Sequence, residues 1–185
     1  MKRTIKGTIL AVTMLFTGQA LAAFTAADAT KLETDASAAV TRFKSQTSGA
    51  EDLLNHAKGV LVCPEITKGG FIIGVESGKC VMQVGGKPVE YYTNRAGKFG
   101  LLAGIQQYSL ILVFNDQASL DLFRTGKREF EIGVDASVAV AKVGAGGSLD
   151  TTNLKGPIVA FTFGDKGLMG DLSIEGATFK KLQVE

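Results

Sequence analysis

Residues 59–75 read GVLVCPEITKGGFIIGV, and this stretch decides the fold class of the chain. Its two apolar runs, 60–63 and 71–75, are rich in Val, Leu, Ile and Phe, which suit a pleated strand. Pro64 ends the first run, because proline cannot donate a hydrogen bond to a strand ladder. The sequence KGG at 68–70 supplies turn residues before the second run. The stretch therefore predicts two short strands joined by a glycine turn.

Beyond this stretch, the chain continues as apolar runs separated by glycines. The dipeptide Ser77-Gly78 predicts a second turn. Residues 115–125 interrupt the pattern as an inserted helix, which Asn115 caps and Gly126 ends. Further strands are predicted at 80–84, 89–93, 130–143, 158–163 and 168–174, and residues 101–114 are predicted to form two strands or one long bent strand. Short strands at this spacing indicate an antiparallel barrel-like or sandwich β-domain.

Two helices are predicted before residue 59. The first covers residues 28–47, with Asp28 as a candidate N-cap, and the second covers residues 51–58. The first helix is amphipathic, with a charge-balanced polar face and an apolar stripe. With the inserted helix, the predicted fold class is α+β, with residues 23–48 as an N-terminal amphipathic helix region and 49–185 as a β-rich domain. The apolar stripe consists of Leu32, Ala36, Ala39, Val40 and Phe43.

The first 22 residues have the layout of a secretory signal peptide. Three basic residues precede an apolar run at 8–16, and Ala20-Leu21-Ala22 places small residues where a signal peptidase cuts. The run has roughly half of the 20 apolar residues that a membrane anchor needs. We therefore expect cleavage after Ala22 and a periplasmic or secreted protein, with a buried N-terminal helix as the alternative. No cysteine lies near the cut, so a lipoprotein is not expected.

Charge and polar-residue content argue against nucleic-acid binding and against catalysis. The chain holds 20 basic and 18 acidic residues, and the first 22 residues contain three of these bases and no acid. Cleavage would leave 17 bases against 18 acids, a net charge of −1. This charge provides no excess of positive charge for binding nucleic acid. The one histidine, His56, belongs to no cluster with metal-ligand spacing. We therefore expect no metal, no cofactor and no enzymatic activity.

The two cysteines, Cys63 and Cys80, leave two alternatives open. A cysteine pair in an oxidising compartment usually forms a disulfide. In a simple meander with turns at 68–69 and 77–78, however, the two residues lie two strands apart. That separation is roughly 9–10 Å, beyond the limit of about 7 Å for a disulfide. The register thus favours two buried free thiols over a bridge.

Several separated blocks of the sequence resemble the SYLF domain, also called the Ysc84-type domain. The blocks stand in the family's order and cover about residues 50–180. Met169 replaces the usual Phe in the last block, an apolar exchange. The blocks are AKGVLVCP at 57–64, KGGF at 68–71 with Gly74, GLLAG at 100–104, LVF at 112–114, GVDASVA at 133–139 and GLMGDLSIEG at 167–176.

The resemblance implies a lipid-binding module of the exported bacterial branch rather than an enzyme. Eukaryotic members bind phosphoinositides through a basic amphipathic N-terminal segment, and some bind actin. Here the corresponding helix is charge-balanced, and actin has no place in a bacterial periplasm. We therefore expect an exported lipid- or phospholipid-binding protein of the bacterial envelope, whose partner is a phospholipid or membrane surface. The alternative is a structural or protein-interaction module of the periplasm, without a lipid ligand and with a protein partner that the sequence does not identify.

Two modes of membrane contact are compatible with the sequence. One is an electrostatic contact through Lys58 and Lys68. The other is apolar insertion of the N-terminal region, with the first helix lying in the membrane interface. The same apolar stripe could instead pack on the sheet, as in most globular proteins. The insertion candidates are Phe24, Leu32, Val40 and Phe43.

Overall fold

The computed structural model describes residues 23–70, 73–99, 105–126, 129–141, 154, 156–164, 167–168 and 174–185. The expected signal peptide lies outside the described residues, as do the block at 100–104 and most of the block at 167–176. Among the described residues, no helix combines the length and apolar character needed to cross a membrane.

The described residues form three helices and a nine-stranded sheet, so the α+β class is confirmed. The helices are α1 (Ala26–Gln46), α2 (Ala50–His56) and α3 (Gln117–Thr125). The strands are β1 (Gly59–Gly70), β2 (Ile73–Val84), β3 (Lys87–Phe99), β4 (Ile105–Phe114), β5 (Glu129–Glu131), β6 (Ala139–Val140), β7 (Ile158–Gly164), β8 (Gly167–Leu168) and β9 (Thr178–Leu182).

The strand order is β5-β9-β3-β2-β1-β4-β7-β6, with β8 paired to β7. All strand pairs are antiparallel except β6 with β7, which is parallel. The sequence did not predict β9, because residues 178–182 carry two lysines and no regular apolar alternation. In the sheet, β9 pairs with β3 and β5 and thereby brings the C-terminal residues onto the same sheet as the first hairpin.

Helices cover both faces of the sheet, and we name each face by its main helix. The α1 face carries Phe43, Val62 and Val81 in one buried cluster, whereas the α3 face carries Leu61 and Phe123 in another. This division follows from strand geometry, because successive side chains point to opposite faces. The apolar stripe of the first helix therefore has a sheet to pack against.

The N-caps of α1 and α3 each differ from the predicted residue. Thr25 rather than Asp28 is the N-cap of α1, and Asp28 is the third helical residue of a capping box. Asp116 caps α3 through the backbone N–H of Ser119. Asn115, the predicted cap, instead donates hydrogen bonds to two carbonyls in the segment before β7.

Strand β1 does not end at Pro64 but continues through it in a β-bulge. The register of β1 against β2 shifts between Val62 and Glu65, and the register against β4 shifts at the same place. A bulge tolerates proline because the extra residue leaves the hydrogen-bonded ladder. After the bulge the alternation has slipped by one residue, so that Ile66 joins Leu61 on the α3 face.

Cys63 and Cys80 form a disulfide bridge, with their Cα atoms 4.1 Å apart. The register that favoured two separate thiols was therefore wrong. The hairpin closes between Gly70 and Gly74, later than predicted, and residues 77–78 lie within β2 rather than in a turn. The cysteines consequently lie on adjacent strands instead of two strands apart.

The close approach of β1 explains why position 78, in the middle of β2, is a glycine. A Cβ atom at this position would lie 2.6 Å from the carbonyl oxygen of Glu65 and 2.9 Å from Cγ1 of Ile66. Both residues belong to the bulged segment of β1. The glycine therefore allows close approach of two backbones at the bulge, which is one of the recognised uses of glycine in strands.

Candidate functional site

The insertion candidates of the N-terminal region lie against the sheet. Phe24, Leu32 and Phe43 are buried, and Val40 is partly buried beside the same cluster. The ring of Phe43 lies 4.9 Å from that of Phe161, measured between centroids. These residues are thus part of the core, and their insertion into a membrane would require α1 to leave the sheet.

Further contacts hold the N-terminal region on the sheet. The phenol of Tyr91 donates a hydrogen bond to Glu33 on α1, which raises the pKa of Tyr91 to about 12. The ring of Phe24 lies 5.3 Å from the Tyr91 ring, measured between centroids. The ammonium group of Lys79 lies over the Phe24 ring, 4.8 Å from its centroid. The backbone N–H of Glu185 donates to the Phe24 carbonyl at 2.9 Å. Phe24 and the C-terminal residue Glu185 therefore lie next to each other beside the sheet.

The two lysine candidates do not form a common patch. Lys58 is exposed directly before β1, whereas Lys68 lies ten residues further, near the other end of that strand. Ten strand residues span about 33 Å. The Lys68 side chain is only 14% exposed, and its ammonium group lies 3.5 Å from a carboxylate oxygen of Glu76. Lys68 is therefore engaged inside the fold and is not a free surface cation.

Glu76 is the centre of a buried polar group on the α3 face. Tyr108 donates a hydrogen bond to one of its carboxylate oxygens at 2.7 Å, and Lys68 lies beside the other. Burial and the bond to Glu76 raise the pKa of Tyr108. Asn94 is 1% exposed on the neighbouring strand, and neither end of its amide has a hydrogen-bond partner among the described residues. The Lys68–Glu76 pair offsets part of the cost of burying the two charges.

Among the described strand residues, the two most exposed apolar side chains lie at the hairpin end of the sheet, on either side of β1. Val75 is 65% exposed and Ile105 is 78% exposed. Both pair with Gly69 of β1, one from each side, and a Cβ atom at Gly69 would be 3.9 Å from Cγ1 of Ile105. Because Gly69 has no side chain, nothing separates the two apolar groups. We call this surface the tip patch.

A second polar cluster lies at the opposite end of the same strands. Glu90 accepts hydrogen bonds from Arg124 (3.1 and 3.2 Å), from Tyr92 (2.7 Å) and from Lys181. Burial by itself would raise the pKa of Glu90, but these hydrogen bonds outweigh burial and lower the pKa to about 2. The three donor residues come from β3, α3 and β9, so only the folded chain assembles this cluster.

His56 does not take part in any of these clusters. Its ring Nδ1 lies 2.7 Å from the carbonyl oxygen of Asp52, one turn earlier on α2, and its side chain is exposed. Within the described part of the chain, no group of three or more His, Cys, Asp or Glu side chains suits a metal ion.

Comparison with protein families supports the SYLF resemblance over the second half of the chain. Residues 95–183 match the family model described as Ysc84, Las17-binding protein actin regulator. The matched segment runs from the end of β3 to just after β9. A search of curated proteins finds no significant match to this chain.

Proposed function

We propose that this protein is an exported module of the bacterial envelope that binds phospholipid surfaces through the tip patch. The exposure of Val75 and Ile105 carries this proposal, because two large apolar side chains that flank a glycine on the same sheet surface form a coherent surface for lipid. The sequences between β1 and β2 and between β3 and β4 are also apolar, with Phe71, Ile72, Leu101 and Leu102.

The expected membrane contact is apolar rather than electrostatic. Full burial of a Val or Ile side chain contributes about 1.5–3 kcal/mol, so the patch supports a weak and reversible association. The mature chain is nearly neutral, and Lys68 at this end of the sheet is paired with Glu76. Little attraction to anionic lipid is therefore expected beyond that of neutral lipid.

The disulfide supports the proposed export, because disulfides persist in oxidising compartments such as the periplasm. The protein recovered from the cell envelope is expected to begin at Ala23. Intact-mass spectrometry checks this expectation, and a recovered chain that still carries Met1 would contradict it.

The membrane contact can be tested by liposome co-sedimentation with a double variant. We expect Val75→Ser with Ile105→Ser to lower the bound fraction at least several-fold on neutral and anionic vesicles alike, because both apolar contacts are lost. Raising the salt concentration should change wild-type binding little, since screening acts on exposed charges and not on apolar burial.

A matched control is Val89→Ser, because Val89 is 43% exposed but lies eight residues before Gly97, the partner of Val75, near the other end of β3. This variant should bind vesicles as the wild type does. If the wild type ignores both kinds of vesicle, or if the double variant and the control bind equally, the membrane proposal is wrong. An envelope protein-interaction module then becomes the better description.

A further inference from the structure

A cavity of about 480 Å³ opens on the α3 face where α3, β5 and β9 meet. Its apolar wall includes Phe123, Phe130 and Phe179, which are buried and form a cluster of tilted rings. Arg124 and Lys181 lie at its polar side. An apolar wall with a few convergent polar groups is the usual composition of a small-molecule site.

The charged groups on the polar side of this cavity are hydrogen-bond donors, and Gln183 in the lining can both donate and accept. Glu90 accepts four hydrogen bonds, which use the roughly four lone-pair positions of a carboxylate. Arg124 gives two of its five N–H groups to Glu90, and Lys181 gives one of its three. The remaining donors can bind a ligand that accepts hydrogen bonds.

The charges around the cavity also favour an anion. Its described lining contains Arg124, Lys180 and Lys181 and no carboxylate. Glu90, which binds Arg124 and Lys181, is itself outside the lining. Asp121, one turn before Arg124 on α3, is outside the lining and accepts a hydrogen bond from Gln117. A ligand in the cavity therefore meets positive charge first.

Glu90 fixes the position of both cations before any ligand arrives. It holds the Arg124 guanidinium by two parallel hydrogen bonds and the Lys181 ammonium by an ion pair. A guanidinium and an ammonium group held side by side match the oxygens of a phosphate group. Less conformational freedom is lost on binding when the donors are already held in place.

We infer that this cavity binds the phosphate group of a small ligand, with the phenylalanine wall receiving an attached apolar group. The inference does not rest on membrane contact through the tip patch. Met82, the partner of Glu90 in the sheet, is seven residues from Val75 along β2, a distance of about 23 Å. The phosphate group comes from a lipid headgroup or from free phosphate, and the two sources predict different affinities.

Isothermal titration calorimetry on the purified protein tests the site with soluble ligands. The probes are inorganic phosphate, dihexanoyl phosphatidic acid below its micelle concentration and, as a neutral amphiphile, hexyl glucoside. We expect phosphatidic acid to bind, and Lys181→Gln to weaken it about tenfold, the loss that corresponds to one charged hydrogen bond. Lys181→Arg should restore binding, because it returns both the charge and the donors.

The control variant is Lys31→Gln, on the exposed side of α1 and remote from the cavity. It should bind as the wild type does. Tighter binding of phosphatidic acid than of inorganic phosphate assigns the site to a lipid phosphate, and equal binding assigns it to free phosphate. The inference is overturned if neither phosphate probe binds, if hexyl glucoside binds as tightly, or if Lys181→Gln and Lys31→Gln behave alike.

Vesicle co-sedimentation of Lys181→Gln separates this inference from the proposed membrane contact. A variant that loses phosphate binding but still sediments with neutral vesicles supports two distinct surfaces. Loss of both activities with an unchanged melting temperature would contradict the separation of the cavity from the tip patch.

Discussion

Phe43→Ala is expected to lower the free energy of unfolding by about 3–5 kcal/mol, the usual cost of removing a large buried ring. Phe43 is completely buried, and its ring packs on Phe161 and Phe163 of β7. The deletion would leave a cavity between α1 and the sheet. Urea unfolding followed by circular dichroism measures the change.

The matched control for this prediction is Thr34→Ala, since Thr34 is exposed on the same helix. Its effect should stay within about 0.5 kcal/mol. A loss below about 1 kcal/mol for Phe43→Ala would mean that α1 contributes little to the folded core. Insertion of the apolar stripe into a membrane would then become the better explanation of lipid contact.

Loss of the disulfide is expected to lower the free energy of unfolding by about 3 kcal/mol. The bridge joins residues 17 positions apart, and a closed loop of about 15 residues stabilises by roughly that amount through the lost entropy of the unfolded chain. Both cysteines are buried between β1 and β2, so a reductant reaches them only when the chain opens. The comparison is therefore between oxidised protein and protein reduced in denaturant and refolded with its thiols protected from oxidation.

Refolding under reducing conditions keeps both sulfur atoms in the core, so that the covalent bond is the main difference. The double variant Cys63→Ala with Cys80→Ala should lose more than reduction does, because it also leaves a cavity. Equal stability of the oxidised and reduced proteins would show that the bridge contributes nothing beyond packing.

Much of the fold could be predicted from the sequence because its signals are local. Runs such as 60–63 and 158–163 identify strands by their residue types, and the spacing of Leu32, Ala36 and Phe43 identifies one face of a helix. The sequence predicts their existence and type well. It places their ends poorly, since β1 continues for seven residues beyond Cys63.

The candidate sites were less predictable, because each combines residues that are distant in sequence. The tip patch depends on Val75 and Ile105 pairing with the same glycine. The polar cluster beside the cavity joins Glu90 to Arg124 and Lys181. No periodicity within a segment indicates such neighbours, although apolar strand residues next to paired glycines were a signal that could have been followed.

The sequence by itself determined the α+β class, the amphipathic character of α1 and the resemblance to the SYLF family, because residue types and spacing within one segment carry that information. Only the tertiary structure decided the pairing of Cys63 with Cys80, the burial of Phe43 and the exposure of the tip patch. The physical reason is register. A single extra residue at the Pro64 bulge and a turn displaced toward Gly74 change which residues are opposite each other in every strand that follows.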